Sequence, residues 1–201
     1  MKIFVTRKIP DSGFEKLKAA GYEVDVSQKA GVLTRAELLE ALGAKPYDAV
    51  LCLLTDKIDG DVFDAVVSAK IFANYAVGTD NIDLDAARSR GVIITNTPGG
   101  LTETVAEHAF TLMLSLAHRV AEADAFTRAG KYQGWAPLLL LGTDLSHKTL
   151  GILGLGRIGS RVAHHGSRGF DMKVVYYDVN RNEAFEKEYG AEYRVNSEDV
   201  L

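Results

Sequence analysis

The chain has 201 residues, 47% of them hydrophobic and 25% charged, a composition typical of soluble globular proteins and a length that suits one or two domains. Its formal net charge of -4 excludes a broad positive field, so nucleic acid and anionic membrane are not expected partners and a small molecule is. The single cysteine, Cys52, lies in the apolar run Val50-Leu51-Cys52-Leu53-Leu54, which leaves no disulfide or thiolate metal cluster to be built within the chain. The apolar part of the N-terminus is too short for a signal peptide and no run approaches membrane-spanning length, so a cytoplasmic location is expected.

Short β-branched runs at 3–5, 22–26, 49–54, 71–76 and 92–95 alternate with amphipathic segments at 13–20, 34–42, 61–69 and 83–90. Such alternation implies βα units and a doubly wound parallel sheet covered on both faces. The segment Asn96-Thr97-Pro98-Gly99-Gly100 breaks the pattern, and the spacing of Leu101, Val105, Leu112 and Leu116 predicts one long helix from about 101 to 120 with those four on one face. Thr102 is expected to cap that helix, with Glu103 and Glu107 at its positive end. After a polar turn at 129–131 and an apolar loop at 135–142, a second series follows: strand 149–154, helix 158–166, strand 173–178, helix 182–189 and a further strand at 191–194.

Gly154-Leu155-Gly156-Arg157-Ile158-Gly159 falls directly after a predicted strand and opens a predicted helix. In a dinucleotide-binding turn the first glycine permits the sharp bend, the second lets backbone approach the pyrophosphate, and the third lets helix pack closely on strand. The phosphates then meet the free N–H groups of the helix start. A glycine-rich turn can also exist for packing alone, but the next strand ends in Asp178, about 20 residues beyond the last glycine, where an acid would accept the adenosine ribose hydroxyls. Such an acid repels a 2′-phosphate, favouring NAD over NADP, although Arg181, three residues on, could accommodate a phosphate and keeps the choice open.

The segment Asn74-Tyr75-Ala76-Val77-Gly78-Thr79-Asp80-Asn81-Ile82-Asp83 follows a predicted buried strand, at the carboxyl edge where open α/β sheets bind ligands. The amides of Val77 and Gly78 could receive an anion, with the glycine letting the chain turn; an ordinary βα turn would place the same residues there. Together with 95–103, 141–144 and 148–159, this segment resembles the D-isomer-specific 2-hydroxyacid dehydrogenases, and the resemblance runs over essentially the whole chain. Residues 51–59 and the 135–142 loop resemble glyoxylate and hydroxypyruvate reductases more particularly.

The resemblance implies an α/β protein with a flavodoxin-like substrate-binding domain at 1–98 and the first part of a Rossmann NAD-binding domain at 99–201. It implies that Val77 and Gly78 hold the carboxylate of a small 2-oxoacid, with Leu53 as a side wall, and that NAD lies on the glycine turn. Arg157 and Ile158 would then meet the pyrophosphate, Asp178 the ribose and Val105 the nicotinamide end. Many relatives have threonine at Val105, which removes a hydroxyl contact and leaves packing; the nearest reductases often carry a serine-arginine pair where Asp178 stands, which again favours NAD. A homodimer is expected. The family's arginine, glutamate and histidine lie further along than this sequence extends, so the chain is expected to be C-terminally incomplete and inactive alone. His108, His118, His147, His164 and His165 fall at no motif position, and no acids or cysteines accompany them at metal-ligand spacing. A non-catalytic, NAD-responsive binding module is the alternative, and a structural fragment associating through an open sheet edge a third reading.

Overall fold

Each β-branched run in the first half becomes a strand and each segment between them a helix: β1 (Lys2–Val5), α1 (Asp11–Ala19), β2 (Glu23–Val26), α2 (Arg35–Gly43), β3 (Ala49–Leu53), α3 (Gly60–Ala65), β4 (Ile71–Tyr75), α4 (Leu84–Ser89) and β5 (Ile93–Thr95). The computed structural model describes residues 1–201 and separates them into a first unit, Met1–Gly100, and a second, Leu101–Leu201. The first unit's five strands are all parallel, in the order β2-β1-β3-β4-β5, the flavodoxin-like winding. Successive strand residues point to opposite faces, and the core divides accordingly. Ile3, Val5 and Ala49 join one cluster with Phe14, whereas Phe4, Val50 and Cys52 join another with Leu38, Leu42, Phe63 and Phe72. Helix starts are fixed locally. Thr34 and Glu37 form a reciprocal capping box on α2, while Asp59 and Asp83 cap α3 and α4. The helix expected at 61–69 stops at Ala65, because Val66 leaves helical geometry at φ -138° and ψ 60°.

The second unit contains α5 (Thr102–Ala117), α6 (Val120–Arg128), β6 (Thr149–Leu153), α7 (Arg157–Gly169), β7 (Lys173–Tyr177), α8 (Glu183–Tyr189) and β8 (Glu192–Tyr193), ending in a 3-10 turn at Ser197–Val200. Its strands are parallel in the order β6-β7-β8, with β6 and β8 at the two edges. No helix is long and apolar enough to cross a membrane.

Two expectations for the long helix are corrected. It ends at Ala117, three residues early, because Arg119 adopts the left-handed conformation at φ 55° and ψ 34° and pairs its guanidinium with Glu122 at 2.7 and 2.9 Å, and a separate helix, α6, starts at Val120. Thr102 lies inside the first turn and does not cap; Leu101 holds the cap position without a side-chain bond. Glu103 reaches instead to Arg161 and His165 on α7. The shared face of the apolar stripe is not the one that is covered. Ala106 and Phe110 are buried with Met113 against them, whereas Leu101, Val105, Leu112 and Leu116 are exposed. Phe110 decides this by stacking on Phe170 at 5.4 Å within the cluster that contains Leu150 and Ile152.

Candidate functional site

The glycine turn joins β6 to α7, and each of its glycines meets a different steric demand. Gly154 has φ +94°, which side chains rarely adopt, and its N–H donates to the Tyr177 carbonyl at 2.8 Å, drawing the end of β6 onto β7. Gly156 sits at the helix cap in an extended conformation, and a Cβ there would point into open space. Gly159 is the opposite case: a Cβ would run into the Gly154 carbonyl oxygen and lie 3.2 Å from its carbon and 3.4 Å from Ile152 Cγ2. The first turn of α7 has no acidic residue and no side-chain cap, so its leading N–H groups face outward unclaimed by protein side chains. Arg157 is exposed beside them and Ile158 half-buried.

Asp178 directly follows β7. Its Oδ2 accepts the Leu155 N–H at 2.6 Å and its Oδ1 the Asn180 N–H at 2.9 Å, so the carboxylate is aimed at the turn by the backbone on both sides. Leu155, Gly156, Asp178, Asn180 and Arg181 line a cleft of about 550 Å³. A glycine whose missing side chain leaves room, bare helix N–H groups and a carboxylate fixed at the far side suit a dinucleotide's pyrophosphate and ribose. Arg181, which left the NADP alternative open, is engaged elsewhere: it makes a two-point pair with Glu186.

In the first unit, the loop after β4 has its carbonyls tied inward. The Ala76 carbonyl accepts from the Thr97 N–H at 2.9 Å and hydroxyl at 3.0 Å, the Val77 carbonyl from Asn96 Nδ2 at 2.8 Å, and the Gly78 carbonyl from Asn74 Nδ2 at 2.9 Å. The Val77 and Gly78 amides have no such partner within the protein and are free to receive an anion. One expectation is corrected here: Gly78 does not turn the chain through a left-handed φ. A Cβ there would lie 2.8 Å from Oδ2 of the exposed Asp80 side chain, which can turn aside.

A buried polar network that the sequence analysis missed holds this loop to the turn after β3. Asn81 Nδ2 donates to the carbonyls of Leu53 at 3.2 Å and Asp56 at 3.0 Å, and Asn81 Oδ1 accepts from the buried Asn74 at 3.0 Å. Asp56, buried as well, accepts the Leu53 N–H at 2.8 Å and the Thr6 hydroxyl at 2.5 Å. Leu53 is thus fixed at the end of β3, where it pairs in register with Tyr75 at the end of β4. The available signal was an asparagine inside an otherwise apolar strand, since a buried amide needs partners.

These features define an α/β protein whose strand-turn-helix has the form of a dinucleotide-binding turn. A model of the D-isomer specific 2-hydroxyacid dehydrogenase family, catalytic domain, matches residues 3–196, and the chain belongs to that family. A glyoxylate reductase of Korarchaeum cryptofilum is 46% identical over 193 residues, covering 96% of this chain and 57% of that protein. The solved TT0316 protein from Thermus thermophilus superposes with a TM-score of 0.89 at 37% identity, covering all of this chain and 61% of that one. A D-lactate dehydrogenase from Aquifex aeolicus, complexed with NAD and lactic acid, superposes with a TM-score of 0.76 at 28% identity, covering 97% and 56%. The chain therefore spans less than two-thirds of the length of each of these relatives.

Proposed function

We propose that the chain serves an NAD-dependent reductase of small 2-oxoacids, with glyoxylate or hydroxypyruvate as substrate, working in the cytoplasm. In this reading residues 1–98 are the substrate-binding domain and 99–201 belong to the NAD-binding domain. The observation that carries it is the glycine turn with Asp178 anchored opposite, a geometry suited to a dinucleotide without a 2′-phosphate. The bound nicotinamide would supply the hydride. Gly154, Gly156 and Gly159 shape the turn, the N–H groups at Arg157 and Ile158 receive the pyrophosphate, and Asp178 accepts the ribose hydroxyls. Val105, half-exposed on α5, serves as an apolar wall for the nicotinamide end. The free amides at Val77 and Gly78 hold the substrate carboxylate, and Leu53 limits its side group.

Nucleotide titration of Asp178→Asn tests the ribose role. Asparagine keeps an oxygen for the Leu155 N–H but loses the charge and the acceptor for the Asn180 N–H, so NADH should bind more weakly by about 1.5–3 kcal/mol while NADPH holds or improves. Equal weakening of both would assign Asp178 to the turn alone.

A homodimer is part of the same proposal. Leu101, Leu112 and Leu116 on α5 and Val120 on α6 leave apolar side chains exposed, as do Trp135, Leu138 and Leu141 in the following loop. Leu116, 80% exposed, should tolerate glutamate within one copy of the chain but not between two. Sedimentation of Leu116→Glu is expected to give a monomer where the unaltered protein gives a dimer; an unchanged mass would remove this face from the interface.

A further inference from the structure

Arg181 lines the same cleft as Gly156 and Asp178, and a planar guanidinium with paired donors is the natural partner of a phosphate. Two of its five N–H donors, the pair on its Nε and Nη2 edge, are already taken. Nε lies 2.9 Å from Glu186 Oε1 and Nη2 lies 2.7 Å from Glu186 Oε2, and the guanidinium carbon sits 5.6 Å from the centre of the Tyr193 ring. Glu186 is held in turn. The hydroxyl of Tyr176, a fully buried residue of β7, donates to Glu186 Oε1 at 2.8 Å, and the Asn182 N–H donates to that hydroxyl at 2.9 Å. Asn182 caps α8 by accepting the Phe185 N–H at 3.0 Å, so the carboxylate's position is tied to both the strand and the helix start. Only 16% of the Glu186 side chain is exposed, against 53% of Arg181. The Arg181 guanidinium holds the Glu186 carboxyl down at about 2, so it is ionised at any working pH. Glu183 adds a second negative charge 4.0 Å from Arg181 Nη1.

We propose that Glu186 sets the nucleotide preference as a positioning residue, by turning the paired Nε and Nη2 donors of Arg181 onto itself so that a 2′-phosphate beside Asp178 is not met by that two-point edge. The inference rests on the NAD reading above. A two-point pair to a carboxylate that is itself fixed from behind costs more to break than one with a mobile surface acid, whose rotamers are free. Adenosine ribose hydroxyls need nothing from Arg181, so the lock discriminates against NADPH and leaves NADH alone. Asp178 repels the extra phosphate directly; Glu186 withholds the group that would compensate for it.

The test is a fluorescence titration of NADH and NADPH against the unaltered protein, E186Q, E186A, R181A and the double variant E186Q/R181A, with circular dichroism to establish that each is folded. Glutamine keeps the acceptor for Tyr176 while removing the charge that binds Arg181, so E186Q should narrow the NADH-to-NADPH affinity ratio by about tenfold, and E186A should narrow it too. R181A should leave the ratio where it stands, because a locked arginine contributes nothing to it, and the double variant should return to that same ratio. A ratio unmoved in both Glu186 variants would overturn the proposal. So would narrowing that persists without Arg181, since Glu186 would then act by its charge alone, or a loss of NADPH affinity in R181A, since the arginine would already reach the phosphate. Binding of NADH with an unmoved ratio sinks this proposal and spares the NAD reading; binding of neither nucleotide to the unaltered protein sinks both.

Discussion

Gly156→Val is expected to lose nucleotide binding by at least about 3 kcal/mol, roughly a hundredfold, while the chain keeps its fold. Gly156 has φ -69° and ψ -166°, a region open to any L-residue, and a Cβ there meets nothing within 4 Å. The folded state therefore accepts the side chain, and a side chain that contacts little else should change stability by no more than about 0.5 kcal/mol. The open space is the space a pyrophosphate needs to reach the first N–H groups of α7, and valine would fill it. Thermal melting with and without NADH separates the two effects: the unaltered protein should gain stability with ligand, and the variant should melt at the same temperature in both conditions. Unchanged NADH affinity in a folded Gly156→Val protein would remove the glycine turn from the binding site.

Gly159→Ala, a smaller change three residues on, should do the reverse and damage the fold. Its Cβ would run into the Gly154 carbonyl oxygen and press on the carbonyl carbon and on Ile152. Two of those atoms are backbone, which cannot turn aside as a side chain can, so α7 must move off the end of β6. Overpacking of this kind costs about 1–3 kcal/mol, and contact with backbone puts the expected loss at the upper end. That is a large fraction of a typical stability of about 5–15 kcal/mol. Amide hydrogen exchange should show protection falling across Leu101–Leu201 and little changed across Met1–Gly100. Full protection of β6 and α7 in Gly159→Ala would show that the turn is looser than its geometry requires.

The contrast between these glycines shows what was legible in the residues and what was not. Strand and helix periods could be read directly, because the parallel strands are continuous apolar runs and three of the helix starts carry their own Thr or Asp caps. The glycine spacing and Asp178 could be read because a strand-turn-helix imposes local demands that fall within about 25 residues. The face that α5 buries could not. Leu101, Val105, Leu112 and Leu116 make a valid helical stripe, yet the residues about a third of a turn away, Ala106 and Phe110, meet the core. Periodicity says which residues share a face; Phe170 and Leu150, which come from elsewhere in the chain, say which face is covered.

The sequence by itself determined the parallel α/β class and the residue types needed to turn strand β6 into helix α7. Both follow from local sterics and from the period of apolar residues. Only the tertiary structure decided that Arg181 is withdrawn onto Glu186, that Arg119 separates α5 from α6, and that Asn74, Asn81, Asp56 and Thr6 close one polar network behind the Val77–Gly78 loop. Thr6 and Asp56 stand 50 positions apart in the chain. A polar or charged group acquires its role from the partner that satisfies it, and such a partner is set by how the strands and helices come together, over separations that no local pattern records.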